Sequence, residues 1–246
     1  MKILPLLFIA VFLMSSQCGK ETTIAVDKGN IAGSARRYNE LGQVRPENDN
    51  ITVSLRNDAG SQATTTTDKG GRFYFKDIEP GIYDIICSYP GDDTATIYSF
   101  QFSGNGTAWV GGSDESLRVI KPAFTKFQNV DVRIENGSLK VRGKKIDWVS
   151  ETGEFFYYRI FFSQGADVSK QEGKYLLTYS AGYDASVDSV LTSIPLAALY
   201  PDLKKGRTYY AVVYPGFSLY FKDNRTGKAY FSGLGVPSEI KSFVME

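Results

Sequence analysis

The sequence contains no histidine among its 246 residues. This absence excludes Ser-His-Asp and Cys-His catalysis, histidine-ligated zinc and imidazole-based pH switching. A charge excess is also lacking, with 28 basic against 27 acidic residues, which disfavours nucleic-acid binding. Gly104 and Gly106 are not followed by a strand-to-helix unit, so they make no dinucleotide fingerprint. We therefore expect no catalytic residue, no cofactor, no metal site and no enzymatic activity.

Long apolar runs are lacking as well, apart from one at the N-terminus. Lys2 is followed by an apolar run from Ile3 to Met14 and then by the small polar pair Ser15-Ser16, which is the profile of a signal peptide. Crossing the hydrocarbon core takes about 20 apolar residues, so we do not expect the mature chain to span a membrane. The pattern predicts an exported protein with residues 1–17 as its signal peptide.

Cysteine is scarce, and one of the two stands directly after this signal. Cys18 precedes Gly19, which resembles the processing site of bacterial lipoproteins, where the cysteine becomes the lipidated first residue. The chain departs from that family at Gln17, where a small residue is usual, and at Ser15, where a Leu-like residue is usual. The resemblance implies lipidation of Cys18 and anchoring to the outer membrane, on its periplasmic or its cell-surface face. The alternative is an ordinary secreted protein.

The second cysteine lies in a strand-like segment. Alternation places Cys87 on one face with Tyr83, Ile85 and Tyr89. We interpret Cys87 as a small buried apolar side chain. A disulfide between Cys18 and Cys87 is the alternative in an oxidising envelope.

Short β-branched and aromatic runs recur between Gly, Asn, Asp and Pro clusters, and this pattern predicts an all-β chain of two immunoglobulin-like β-sandwich domains in tandem. In the first half the candidate strands are 30–37, 51–55, 62–66, 72–75, 82–89, 96–102 and 127–134. In the second half they are 139–142, 145–149, 155–163, 174–179, 189–194, 208–214, 217–221, 228–232 and 240–245, with a short helix at 195–200. Segment 155–162 is apolar on both faces, as in a central strand covered on each side.

The first half carries a spaced pattern of glycines and apolar residues. It runs Ile31-x-Gly33, Ile51-x-Val53-x-Leu55, then Thr67-Asp68-x-x-Gly71-x-Phe73-x-Phe75-x-x-Ile78-x-Pro80-Gly81-x-Tyr83-x-Ile85. The pattern resembles the carboxypeptidase regulatory-like domain, a transthyretin-like fold, over residues 28–135, after a linker at 18–27. The resemblance implies an accessory module without an active site.

A second strand-rich unit is predicted over residues 136–246, beginning at the turn-prone Asn136-Gly137. The run from Leu199 to Tyr210 resembles the corner of fibronectin type III domains, where a tyrosine hydroxyl ties the loop back to the backbone. This unit is therefore interpreted as fibronectin type III-like.

Aromatic residues supply the candidate ligand contacts. The segment 217–231 reads as a projecting hairpin with more aromatic residues than one buried face requires, and exposed aromatic surfaces often mark binding sites. We expect Tyr220, Tyr230 or Phe231 to contact a ligand there, and we add Trp109, in a Gly-rich segment, 104–116, interpreted as a long loop.

Paired carboxylates are the remaining candidates for chemistry. They occur at Asp92-Asp93, Asp114-Glu115 and Asp184/Asp188. We interpret them as solvated surface charges, with a weak calcium site or acid/base catalysis as alternatives.

These observations favour a non-enzymatic cell-envelope lipoprotein that acts as a structural or interaction module. The first domain would be a stalk next to the lipid, and the second would present a surface to another envelope protein. The alternative is an accessory protein that captures a glycan or peptide for an outer-membrane uptake or degradation system. A third class is a hydrolase whose carboxylates the sequence does not bring together.

Overall fold

The computed structural model of the protein describes residues 27–110, 116–147, 155–171, 173–184, 189–199, 201–223, 225–227 and 229–246. The N-terminal apolar run, Cys18, Asp114, Glu115 and Asp188 lie outside these residues. The described residues form strands and a single four-residue helix, which confirms the predicted all-β class of immunoglobulin-like sandwiches. The described part of the chain contains no helix long and apolar enough to cross a membrane.

The chain has seventeen strands and one helix in these residues. The first eight strands are β1 (Gly29–Tyr38), β2 (Thr52–Asn57), β3 (Gly60–Thr66), β4 (Arg72–Ile78), β5 (Gly81–Ser88), β6 (Ala95–Phe102), β7 (Thr107–Val110) and β8 (Leu117–Ile120). The remaining elements are β9 (Lys126–Glu135), β10 (Ser138–Ile146), β11 (Phe155–Ser163), β12 (Leu177–Asp184), β13 (Ser189–Pro195), α1 (Leu196–Leu199), β14 (Thr208–Pro215), β15 (Leu219–Lys222), β16 (Ala229–Ser232) and β17 (Lys241–Val244).

Strands β1 to β8 form the first sandwich. Strand β1 pairs antiparallel with β4, and it pairs in parallel with β7 and then with β8. The facing sheet has the order β3-β2-β5-β6. Alternate side chains of both sheets meet in one core, where Cys87 is a free, buried thiol whose pKa burial raises to about 12. The apolar interpretation of Cys87 is thus confirmed.

The second sandwich packs a sheet of order β13-β10-β9 against a sheet of order β12-β11-β14-β17. Strand β11 sends Phe156, Tyr158, Ile160 and Phe162 into the core between them. On its opposite face Phe161 packs in a separate apolar cluster. The strand is covered on both faces, as its sequence predicts.

The position of β9 corrects the predicted domain boundary. Strand β9 pairs with β10 and buries Phe127, Val130 and Val132 in the core of the second sandwich. Asn136 and Gly137 both have positive φ, at 50° and 71°, and they form the two-residue turn of the β9-β10 hairpin. The same Asn-Gly pair that suggested a boundary is therefore a turn inside the second unit, and the change of unit falls before Lys126.

Two further strands differ from the sequence prediction. Thr107–Val110 is a strand inside the predicted loop 104–116, and Leu117–Ile120, directly after that segment, is a strand that the sequence does not predict. Gly104 and Gly106 have positive φ and form the turn that precedes β7. The two glycines thus lie in a turn directly before a short strand and do not mark a long loop.

The loop before β14 contains the predicted tyrosine corner. The backbone N–H of Lys204 donates to the hydroxyl of Tyr209 at 2.7 Å, and Tyr209 is completely buried. The first sandwich has a similar tie, in which the Tyr83 hydroxyl donates to the carbonyl of Glu79 at 2.8 Å. Each hydroxyl fixes the loop that leads into its own strand.

Candidate functional site

The structure divides the four candidate aromatic residues between two surfaces. Trp109 is 68% exposed on the sheet formed by β4, β1 and β7. Tyr220 and Tyr230, on the hairpin of β15 and β16, are 54% and 40% exposed, whereas Phe231 is only 7% exposed. Cys18, the predicted lipidation site, lies outside the described residues.

Trp109 has an aromatic partner that the sequence analysis missed. Ala32 in β1 lies directly opposite Tyr74 in β4 and directly opposite Trp109 in β7. Residues that pair across strands point to the same face, so the three form one row, with the small alanine in the middle. Tyr74 is 42% exposed, and Ala32 is buried between its two neighbours. We call this surface the aromatic cleft: Tyr74 and Trp109 are its walls and Ala32 is its floor.

The spacing of the cleft follows from the sheet. Neighbouring strands lie about 4.8 Å apart, so the backbones of Tyr74 and Trp109 are separated by two such steps, close to 10 Å. The cavity between them has a volume of about 540 Å³. A flat ring can enter a space of this width and stack on one of the aromatic walls.

The core beneath the sheet holds the walls of the cleft in place. Gly33 pairs with Phe73, and a Cβ on Gly33 would meet the Phe73 ring at 2.5 Å. The glycine therefore lets the Phe73 ring lie flat against β1, inside the core. Because side chains alternate along a strand, Tyr74 must then point outward.

Polar groups surround the cleft on the side of β3 and β4. Thr65, Thr66, Asp68 and Arg72 line the cavity. Asp68 closes the turn before β4, because its Oδ1 accepts the backbone N–H groups of Gly70 and Arg72, both at 2.8 Å. The guanidinium of Arg72 is exposed and has no ion-pair partner among the described residues. The cleft thus offers aromatic faces and a polar rim with an available donor.

The hairpin of β15 and β16 lies against the first sandwich instead of projecting into solvent. Tyr230 stacks on Tyr98 of β6, and Phe221 packs against the core of the first sandwich. Phe231 faces the other way, edge-on to Phe161 and under the guanidinium of Arg159 at 4.8 Å. Phe231 is therefore an internal contact, and of the three predicted hairpin residues only Tyr220 and Tyr230 reach solvent.

The predicted surface carboxylates at Asp92 and Asp93 have structural roles. The Asp92 side chain is 2% exposed and its Oδ2 accepts the Nε of Arg37 at 2.7 Å. Asp93 Oδ2 accepts the backbone N–H of Gly233 at 2.8 Å. The interpretation of this pair as solvated charge is thus wrong. In the part of the chain that the structure describes, no three His, Cys, Asp or Glu side chains gather into a metal-binding group.

Comparison with known proteins supports the sandwich fold. Residues 38–93 match the family model described as BOS complex subunit NOMO1-like, second beta sandwich domain. No curated protein matches the chain. The match covers strands β2 to β5 and confirms a β-sandwich domain there, without distinguishing a carboxypeptidase regulatory-like domain from other sandwiches.

Several solved structures are similar to the chain. A candidate carbohydrate-binding protein from Bacteroides uniformis is 14% identical, with a TM-score of 0.32, and 89% of this chain and 100% of that chain are covered. A DUF3823 family protein from the same species is 15% identical, with a TM-score of 0.31 and coverage of 88% and 99%. The major pilin subunit BcpA of Bacillus cereus is 10% identical, with a TM-score of 0.26 and coverage of 88% and 69%.

Proposed function

We propose that this protein is a non-enzymatic, lipid-anchored protein of the cell envelope that captures a glycan in the aromatic cleft. The observation that carries the proposal is the row of Tyr74, Ala32 and Trp109, in which two exposed aromatic walls flank a small buried floor. A protein gains nothing in stability by leaving a tryptophan two-thirds in solvent, and exposed aromatic clusters commonly mark binding surfaces.

The chemistry of the cleft favours a sugar over a peptide. A pyranose ring has apolar C–H faces that pack flat on an aromatic ring and hydroxyl groups around its edge. Arg72, Thr65 and Thr66 lie where such hydroxyls would find donors and acceptors. Proline-rich peptides also dock on aromatic-lined grooves, but a proline side chain has no group that can hydrogen-bond Arg72, Thr65 or Thr66.

The anchor belongs to the same proposal. Lipidation of Cys18, directly after the apolar N-terminal run, would hold the first sandwich near the membrane surface. More than one acyl chain is needed for stable anchoring, because a single chain binds only reversibly. Mass spectrometry of the mature N-terminus tests this part. An unmodified chain that begins beyond residue 18 would contradict the anchor without affecting the cleft.

The cleft is tested by a glycan array with the purified protein, followed by calorimetric titration of any glycan bound. Trp109→Ala and Tyr74→Ala should each weaken binding by about 1 to 3 kcal/mol, or roughly five- to 150-fold in Kd. Tyr220→Ala is the matched control, because Tyr220 is an aromatic residue on the other surface whose exposure, 54%, lies between those of Tyr74 and Trp109. Thermal melts should show that Trp109→Ala changes stability by less than about 1 kcal/mol.

Two results would overturn the proposal. If the wild-type protein binds no glycan on a broad array, a structural or interaction module is the remaining interpretation. A glycan whose affinity drops with Tyr220→Ala and not with Trp109→Ala would move the site to the hairpin.

A further inference from the structure

A second cavity, of about 210 Å³, lies where the hairpin meets the first sandwich. The first sandwich contributes Asp93, Thr94, Thr96 and Tyr98 to its wall. The second sandwich contributes Lys170 from the loop after β11, together with Phe221, Tyr230, Phe231 and Ser232 of the hairpin. The cavity therefore exists only when the two sandwiches are docked.

Several polar groups on this wall retain unused hydrogen-bonding capacity. Asp93 uses Oδ2 for the N–H of Gly233, which leaves its second carboxylate oxygen available. The ammonium of Lys170 reaches the carbonyl of Leu234 only at 3.5 Å, the outer limit of a hydrogen bond. Within the described residues, Asp93 and Lys170 make no ion pair with each other. Opposite charges thus face one cavity without neutralising one another.

Ser232 adds an independent observation. Its side chain is buried, and its hydroxyl has no hydrogen-bond partner among the described residues. A buried hydroxyl without a partner costs free energy, so rotation of the Ser232 side chain toward the cavity, where a ligand or a bound water can hydrogen-bond it, is favourable.

We propose that this cavity is a binding site for a single pyranose sugar, separate from the aromatic cleft. Sugar hydroxyls both donate and accept, so neighbouring hydroxyls of one ring can donate to Asp93 and accept from Lys170. The volume lies below the range of about 300 to 1,000 Å³ that is usual for drug-sized ligands, which suits one ring rather than a chain.

A free amino acid fits the same wall less well. Its two charged groups sit on a single carbon and could engage Asp93 and Lys170, but they would leave Thr94 and Ser232 without a partner, whereas Thr96 already makes a hydrogen bond with Tyr98. A ring that carries a hydroxyl on most of its carbons has further groups for the remaining polar side chains of the wall. The exposed face of Tyr230 at the rim offers the apolar surface on which its C–H groups would pack.

Binding should stabilise the docked arrangement of the two sandwiches. A ligand that binds only the folded, docked state raises the melting temperature as its concentration rises above its Kd. The purified full chain is therefore melted with glucose, galactose, mannose and N-acetylglucosamine at millimolar concentrations, and with glycine and alanine as zwitterionic probes. We expect at least one sugar, and neither amino acid, to raise the melting temperature in a dose-dependent way.

The variants Ser232→Ala and Lys170→Met locate the site. Each should weaken binding of that sugar by about tenfold, as loss of one hydrogen bond to a ligand does. Ser232→Ala should leave the melting temperature without sugar unchanged or higher, because it removes a hydroxyl that has no partner. Lys222→Met, at an exposed lysine of the same hairpin outside the cavity, is the matched control and should bind normally.

Three results would overturn the inference. The first is that no sugar shifts the melting temperature, and the second is that glycine or alanine shifts it instead. The third is a sugar-induced shift that survives Ser232→Ala and Lys170→Met and disappears in Trp109→Ala, since that sugar would occupy the aromatic cleft. Glycan capture in the cleft would then stand while the second site would not.

Discussion

Tyr98 of the first sandwich and Tyr230 of the hairpin stack with their ring centroids 5.0 Å apart and their planes 23° from parallel. The turn between β15 and β16 makes two polar contacts with the first sandwich. The Ser99 hydroxyl donates to Asp223 Oδ1 at 3.1 Å, and the guanidinium of Arg225 pairs with Asp58 at 2.8 Å. The hairpin of β15 and β16 follows the strands of the second sandwich in sequence but packs on the first. We call it the clamp.

The stack should couple the unfolding of the two sandwiches. Tyr230→Ala removes an aromatic pair of about 0.5 to 1.5 kcal/mol beyond its buried area, so the transitions of the two units should separate or broaden in calorimetry. Tyr74→Ala is the matched control, because Tyr74 has nearly the same exposure and lies on the far sheet of the first sandwich. A single sharp transition of unchanged melting temperature in Tyr230→Ala would contradict the clamp.

The corrected unit boundary makes a prediction about fragments. A fragment 121–246 retains β9, whereas a fragment 136–246 loses Phe127, Val130 and Val132 from the core of the second sandwich. Burial of each such side chain stabilises the fold by about 1.5 to 3 kcal/mol. The free energy of unfolding of a whole domain is only about 5 to 15 kcal/mol. We therefore expect 121–246 to melt cooperatively and 136–246 to show no transition. Equal melting temperatures for the two fragments would return β9 to the first unit.

Strand positions followed from the sequence because alternation of apolar side chains is a local property. The predicted strand 155–163 has the bounds that the structure gives to β11. Membership in a sheet is not local: the alternation of Val130 and Val132 identifies a strand but not its partner, and Asn136-Gly137 fits a linker as well as a hairpin turn. The boundary was misplaced for this reason.

For the same reason the sequence identified only one of the two aromatic walls of the cleft. Trp109 stood out as a lone tryptophan among glycines. Tyr74 lies between Phe73 and Phe75 and looked like part of an ordinary core strand. Only the register of β4 and β7 on β1, which places both residues opposite Ala32, reveals the pair. The sequence does contain one indication: Tyr74 alternates with Phe73 and Phe75, so it must point to solvent if the two phenylalanines point into the core.

The tyrosine corner predicts a specific loss of stability. Tyr209→Phe deletes the oxygen that accepts the N–H of Lys204, and a donor left without a partner costs about 1 to 3 kcal/mol. Tyr210→Phe is the neighbouring control, because the Tyr210 hydroxyl makes no hydrogen bond among the described residues. Urea unfolding should give a lower midpoint for Tyr209→Phe and a nearly unchanged one for Tyr210→Phe. Equal midpoints would show that the corner contributes no net stability.

Glu40 lies between the two sandwiches. Its backbone carbonyl accepts the N–H of Phe217 at 3.1 Å, and its Oε2 accepts the N–H of Phe124 at 3.2 Å. Burial raises the pKa of the Glu40 carboxyl, and this effect outweighs the lowering by the Phe124 hydrogen bond and by the nearby charge of Lys121.

A raised folded-state pKa means that the folded chain binds this proton more tightly than the unfolded chain does. The resulting stability is fully present below the unfolded pKa of 4.5 and is lost as the pH rises through the folded value. At about pH 7 the ionised carboxylate therefore carries its desolvation cost in full. Glu40→Gln keeps an oxygen that can accept the Phe124 N–H and removes the charge, so it should melt at a higher temperature than the wild type at neutral pH.

This difference should shrink as the pH falls toward and below 4.5, where the wild-type carboxyl becomes neutral as well. Thermal melts of both proteins across that range measure it. Glu47→Gln, at an exposed glutamate of the same connection between β1 and β2, is the control, and its effect on the melting temperature should be small at every pH. A Glu40→Gln protein that melts below the wild type at neutral pH would show that the negative charge itself holds the two sandwiches together, through Lys121, and that desolvation is the smaller effect.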